Sequence, residues 1–221
     1  MGMKDVNLFF ACDDGYIPFL AVTLTSIKAH ASKERIYRSV ILNTGIGEFY
    51  KKRITEALAD EKFIIEFVDI SVAVDKIRER LHTRDYYSAS TYYRLFISTL
   101  YPELEKALYL DCDIALCADV AELYDTELED NLVGAVPDGS VGCVPEFQRY
   151  VENRIGVSSY RDYFNAGVLL MNLRAMREND FEQKFINLLD KVKFNVAQDQ
   201  DYLNAICSGK CKAPQKPSHG F

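Results

Sequence analysis

The chain has 221 residues, 48% of them hydrophobic and 27% charged, with a formal net charge of −7. At about 100 to 200 residues per domain this is one domain with one substantial core. No apolar run reaches the roughly 18 residues of a membrane span, and no lysine and arginine cluster is dense enough to trade phosphates for counterions, so a spanning protein and a general nucleic-acid binder are both excluded.

The start, MGMKDVNLFFACDDG, passes from one lysine through a short apolar stretch into two acids. It is unlike a secretory signal, and a cytoplasmic location is expected, at most peripheral to the inner membrane surface. Six scattered cysteines without a C-x-x-C pair read as reduced and structural.

Segments rich in β-branched and aromatic residues alternate with longer helical patterns, the mark of βαβ units around a mostly parallel sheet. Residues 6–12 (VNLFFAC) predict a buried first strand, and 16–31 a helix with Leu20, Leu24 and Ile27 at helical spacing. Strands follow at 38–44 and 63–70, separated by a helix over 48–60. Another helix is expected from about 88 to 100, ended by Pro102. KALYLDCDIAL (106–116) predicts a strand that begins as a continuous apolar run and meets two acids at its end. Further strands are expected at 131–138 and 163–172, and helices at 181–194 and 199–207.

Ligands of open α/β sheets sit outside the carboxyl ends of the strands, so Asp111 and Asp113 could share a crevice with Asp13 and Asp14 after the first strand. Side chains two apart on an extended segment point the same way, with Cα atoms roughly 6.5 Å apart, so one ion could bridge Asp111 and Asp113. Mg²⁺ and Mn²⁺ favour carboxylates plus substrate phosphates, and an acidic protein needs such an intermediary to hold a diphosphate. D-x-D also occurs by chance at strand ends. It opens phosphatase sites as well, but those continue with glycine and threonine, where this chain has Ile114, Ala115 and Leu116.

Five blocks, FFACDDGY, STYYRLFI, KALYLDCDIAL, YFNAGVLLMNL and QDQDYLNAI, stand in an order and spacing that resemble glycosyltransferase family 8. These are retaining enzymes related to lipopolysaccharide galactosyl- and glucosyltransferases. The resemblance implies an α/β fold of GT-A type, a three-layer α/β/α sandwich with a mostly parallel central sheet, spanning 1–209, with 210–221 as a divergent tail. It implies hexose transfer from a UDP-sugar to a saccharide acceptor, with Mn²⁺ or Mg²⁺ on Asp111 and Asp113.

Residue by residue, it places Ala11 and Asp13 on the uracil and ribose and Tyr16 flat on the base. Arg94 approaches the diphosphate or sugar, while Asp111, Cys112, Asp138, Asn165 and Ala166 belong to the nucleotide-sugar site. Asp199 meets the sugar hydroxyls, and Gln200 lies beside the anomeric carbon. Each has a plainer reading: Asp13 or Asp14 as an N-cap, Arg94 in a salt bridge, Asp138 in a Pro-Asp-Gly turn, Asn165 at a bulge, Asp199 as a helix cap. An amide at Gln200 is too poor a nucleophile for double displacement, so front-face attack is expected.

After Gly209 the resemblance stops, where family members carry a histidine that completes the metal shell and then a lysine on the diphosphate. His219 is followed only by Gly220 and Phe221, with Lys216 and Pro217 before it. A fragment of a longer chain, a nucleotide-sugar binding remnant without turnover, and a compact enzyme completed by water or a neighbouring subunit remain the alternatives. A homo-oligomer is a further expectation, from apolar surface left without cover.

Overall fold

The computed structural model describes residues 5–76, 89–194 and 196–213. Strand β1 (Asp5–Ala11) leads through a 3₁₀ turn, Asp14–Tyr16, into helix α1 (Ile17–His30). Pro18 lies in the first turn of α1, where its missing N–H costs no helical hydrogen bond. Leu20, Leu24 and Ile27 turn inward on one face, and full burial of each such side chain contributes roughly 1.5–3 kcal/mol. Then come β2 (Ile36–Asn43), α2 (Glu48–Leu58), β3 (Phe63–Asp69) and the short α3 (Ser71–Asp75).

The helix expected over 88–100 is wound as a 3₁₀ segment, Ala89–Phe96, before a single α-helical turn, α4 (Ile97–Leu100); Ser88 lies outside the described residues. Three residues per turn put positions i and i+3 on one face, which brings Thr91 and Arg94 together. Strand β4 (Lys106–Leu110) stops one residue before Asp111, so the two acids stand in the turn beyond the strand rather than on it.

Next are α5 (Val120–Tyr124), β5 (Val133–Gly134), α6 (Pro145–Tyr150), β6 (Val168–Asn172), α7 (Leu173–Glu178), α8 (Phe181–Lys191), α9 (Asp199–Cys207) and β7 (Cys211–Lys212). Two further expected strands are also shorter than their patterns, β6 starting five residues into the expected 163–172. Only two residues of 131–138 join the sheet, and Pro137, which has no N–H to give a ladder, makes an isolated bridge to Phe164. Cys211 and Lys212, in the segment read as a tail, pair with Val133 and Gly134, so the sheet continues past residue 209.

The sheet order is β3-β2-β1-β4-β6-β5-β7. β1, β2, β3 and β4 are mutually parallel, β6 runs antiparallel to both neighbours, and β7 is parallel to β5. Both faces are covered. Phe9, Leu42, Tyr109 and Met171 meet Tyr92, Phe185 and Tyr202 on one side. Leu8, Phe10, Leu108 and Leu170 meet Leu20, Leu24 and Val120 on the other. The result is a three-layer α/β/α sandwich of GT-A type. Among the described residues no helix is long and apolar enough to cross a membrane.

Candidate functional site

A cleft of about 270 Å³ opens where β1 and β4 end side by side, with the start of α9 opposite. Ala11, Tyr16, Arg94, Asp111, Cys112, Asp113, Asn165, Ala166, Asp199 and Gln200 all line it. Two residues expected there, Asp13 and Asp138, do not. Asp13 caps the 3₁₀ turn, its Oδ1 accepting from the N–H of Gly15 (3.0 Å) and of Tyr16 (3.2 Å). Its neighbour Asp14 accepts the Gly47 N–H at 3.0 Å and ties this turn to α2.

Arg94 is the buried centre. Its Nη2 lies 3.1 Å from Asp111 Oδ1, and its Nε 3.0 Å from Asp199 Oδ2. The Nε hydrogen goes to Thr91 O at 3.0 Å, so the contact with Asp199 is an ion pair without an aligned hydrogen bond, and among the described residues Oδ2 has no hydrogen-bond donor. Nη1 donates to Ala166 O, and the guanidinium covers the Tyr109 ring at 4.2 Å. Burial disfavours the charge on Arg94, but Asp199 and then Tyr109 and Asp111 outweigh it and hold the group more basic than usual. Burial also pushes the Asp199 carboxyl up to about 6, against the pull of Arg94.

Asp111 is fixed by its backbone N–H to Gly167 O (2.8 Å) and by the Tyr109 hydroxyl, which donates to Oδ1 at 3.2 Å. Its Oδ2 is left over. A Cβ on Gly167 would sit 2.7 Å from that oxygen, so only glycine leaves room for the carboxylate here. Asp113 is exposed. Two carboxylates with unspent oxygens at one cleft suit a hard divalent cation that keeps other positions for phosphate or water. Among the described residues no group of three histidine, cysteine or acidic side chains is placed so that all three could hold one metal ion, and His219 lies outside them.

Gln200 is held at both ends of its amide. The Ala166 N–H donates to Oε1 at 2.9 Å, which fixes the amide's orientation, and Nε2 donates to Asp138 Oδ2 at 2.8 Å. Asp138 therefore acts one layer behind the cleft. Its carboxyl is raised by burial but lowered more by hydrogen bonds from Ser140, Gln200 and Asn165, and ends below the ordinary range.

Sequence reasoning passed over Asp201 and Asn204. Asp201 is fully buried and accepts the hydroxyls of Tyr163 (2.6 Å) and Tyr150 (2.8 Å) and the Ala197 N–H (3.0 Å). Asn204 accepts the Phe164 N–H at 2.8 Å and donates to Phe164 O at 2.9 Å, locking the chain before Asn165 against α9. The available signal was the spacing in QDQDYLNAI. Asp201 and Asn204, three apart, share one face of the helix.

The sequence model of glycosyl transferase family 8 matches residues 7–217. A Haemophilus influenzae protein whose name gives only the general class, glycosyltransferase, is 32% identical across 95% of this chain and 61% of its own length. The lipopolysaccharide 1,2-glucosyltransferase of Escherichia coli is 25% identical across 92% of this chain and 59% of its own. The chain thus spans about three-fifths of these relatives. The galactosyltransferase LgtC, solved with donor and acceptor sugar analogues, superposes with a TM-score of 0.78 at 30% identity, covering 96% of this chain and 73% of LgtC. On these matches and this architecture, the chain belongs to glycosyl transferase family 8.

Proposed function

We propose that this chain carries the donor site and catalytic centre of a retaining hexosyltransferase. It moves galactose or glucose from a UDP-sugar to a saccharide acceptor of a surface glycan such as lipopolysaccharide. One observation carries the reading: residues from five separate sequence blocks, Ala11, Arg94, Asp111, Asn165 and Gln200, line one cleft at the carboxyl ends of β1 and β4. The complex of LgtC with sugar analogues and the name of the E. coli relative support the substrate class.

Asp111 and Asp113 would hold Mn²⁺ or Mg²⁺, which supplies charge neutralisation for a departing nucleoside diphosphate. Tyr16, nearly half exposed at the rim, offers its ring to the base. Asp199, at the cleft wall beside Arg94, takes a sugar hydroxyl. Gln200 presents an amide whose orientation Ala166 and Asp138 have already set, so its dipole can face the positive charge that grows on the sugar ring without reorganising. An amide so engaged does not act as a nucleophile, which favours front-face attack, with the leaving phosphate oxygen taking the acceptor's proton.

The test is a thermal-shift panel of UDP-galactose, UDP-glucose, UDP-N-acetylglucosamine and GDP-mannose, with and without Mn²⁺, on the protein and on Asp113→Asn. The expected stabilisation is specific to UDP donors, needs the metal and disappears in the variant. A shift that survives Asp113→Asn sinks the metal assignment. UDP-dependent stabilisation without sugar transfer or hydrolysis would make the chain a nucleotide-sugar binder without turnover.

A further inference from the structure

The turn that delivers Asp199 and Gln200 to the cleft is built against the preferences of its own sequence. Ala197 O accepts the Gln200 N–H at 3.0 Å, closing a four-residue turn. Gln198 fills its first central position with φ 45° and ψ −114°. Those are the angles of a type II′ turn, a position that glycine dominates because a Cβ is crowded there. Asp180, another non-glycine residue with positive φ, has φ 52° and ψ 41°, inside the left-handed basin that aspartate tolerates. Gln198 has no such basin.

Its side chain gains nothing locally to offset this. Gln198 is 2% exposed, and among the described residues neither its amide nitrogen nor its oxygen has a hydrogen-bond partner. It does not cap α9. Asp201 does that work instead, reaching back to the Ala197 N–H at 3.0 Å. Among the described residues, three of the six buried side-chain polar atoms without a hydrogen bond belong to Gln198 and Asp199. Strained backbone and unpaired buried amides persist in native proteins mainly where function retains them.

We propose that Gln198 is a positioning residue that sets the direction in which Asp199 and Gln200 enter the cleft. This rests on the reading of the cleft as a donor site. The Gln198 carbonyl accepts the N–H groups of Asp201 (3.1 Å) and Tyr202 (3.4 Å), so the tilt of this one peptide orients the first turn of α9. Relaxing φ to the extended geometry usual at an N-cap would swing the enclosed amide out of its place and carry Asp199 away from Arg94. The buried side chain keeps the peptide from relaxing.

Two variants separate strain from packing. Gln198→Gly relieves the backbone and removes the amide; Gln198→Asn tolerates positive φ and keeps an amide. The expected Gln198→Gly protein melts at the wild-type temperature or a few degrees above it, because released strain offsets the lost side chain. Without the buried side chain the glycine peptide also samples other angles, so kcat for sugar transfer falls about tenfold while the donor KM stays within about twofold, the signature of misplaced reacting groups. Gln198→Asn recovers part of the kcat. The proposal is overturned if Gln198→Gly melts well below wild type, which marks ordinary packing, or if its kcat is unchanged. Should the wild type neither transfer nor hydrolyse donor, the donor-induced thermal shift replaces kcat, and an equal shift in wild type and Gln198→Gly overturns the proposal. No shift with UDP and Mn²⁺ in the wild type defeats the donor-site reading itself, and the comparison of melting temperatures still decides whether the turn is strained.

Discussion

Gln198 and one oxygen of Asp199 excepted, the α9 wall of the cleft spends its polar side-chain atoms on the protein, whereas the wall at the ends of β1 and β4 leaves its own turned outward. Asp201, Asn204 and Gln200 are tied to Tyr150, Tyr163, Phe164, Ala166 and Asp138. Across the gap Tyr16 is 47% exposed, Asp113 is exposed, and Asp111 keeps one oxygen free beside Gly167. The first wall is held in place by the protein alone, the condition under which fixed dipoles act without reorganising. In the proposed function a cation and a diphosphate complete the second. Arg94 joins the two, one carboxylate from each wall on its guanidinium.

The largest test of this division is Arg94→Met, which strands Asp199 and Asp111 without their shared cation. A loss of about 3–5 kcal/mol is expected from urea unfolding, as when one partner of a buried ion pair is removed. A loss below about 1 kcal/mol would mean that the walls stand independently.

Asp199 makes the next test. Its carboxyl titrates near 6 when folded, above the ordinary carboxylate value, so the folded state holds this proton more tightly than the unfolded chain does. The resulting stabilisation is complete below about pH 4 and is lost as the pH rises through 6. It amounts to up to about 3 kcal/mol. Measured against Asp199→Asn, the wild type should lose relative stability between pH 4 and 6, and a flat difference would place the carboxylate in water. Tyr163→Phe, which takes a 2.6 Å donor from buried Asp201, should cost about 1–3 kcal/mol by thermal melting. Asp113→Asn belongs to the open wall and should change ligand-free stability by no more than about 0.5 kcal/mol. A larger change would show that this acid also supports the fold.

The open wall was the more legible in the sequence. A continuous apolar run ending in acids is a local pattern, and β1 follows it closely, while β4 keeps only the first five residues of its expected 106–116 and leaves the acids in the turn. α9 also matches its expected bounds. The preorganised wall was harder, because its meaning is tertiary. Asp201 looks like any acid in a first helical turn until Tyr150 and Tyr163 arrive from distant segments. Short helices such as α5 and α7 hold too few residues for a period to show. The reversed direction of β6 leaves no trace, because a strand buried on both faces reads alike either way. β7 is two residues long and owes its place to β5 rather than to its own composition.

The space beside Gly167 offers a way to arrest the protein while leaving it whole. One added methyl group at that position lands 2.7 Å from Asp111 Oδ2 and meets a side-chain carboxylate rather than the sheet. Gly167→Ala should therefore melt close to wild type while the Asp111 carboxylate is turned from the ion proposed for it. Such a silent copy would let candidate acceptors be titrated against an intact surface without the sugar being consumed, which separates recognition of the second substrate from the transfer itself.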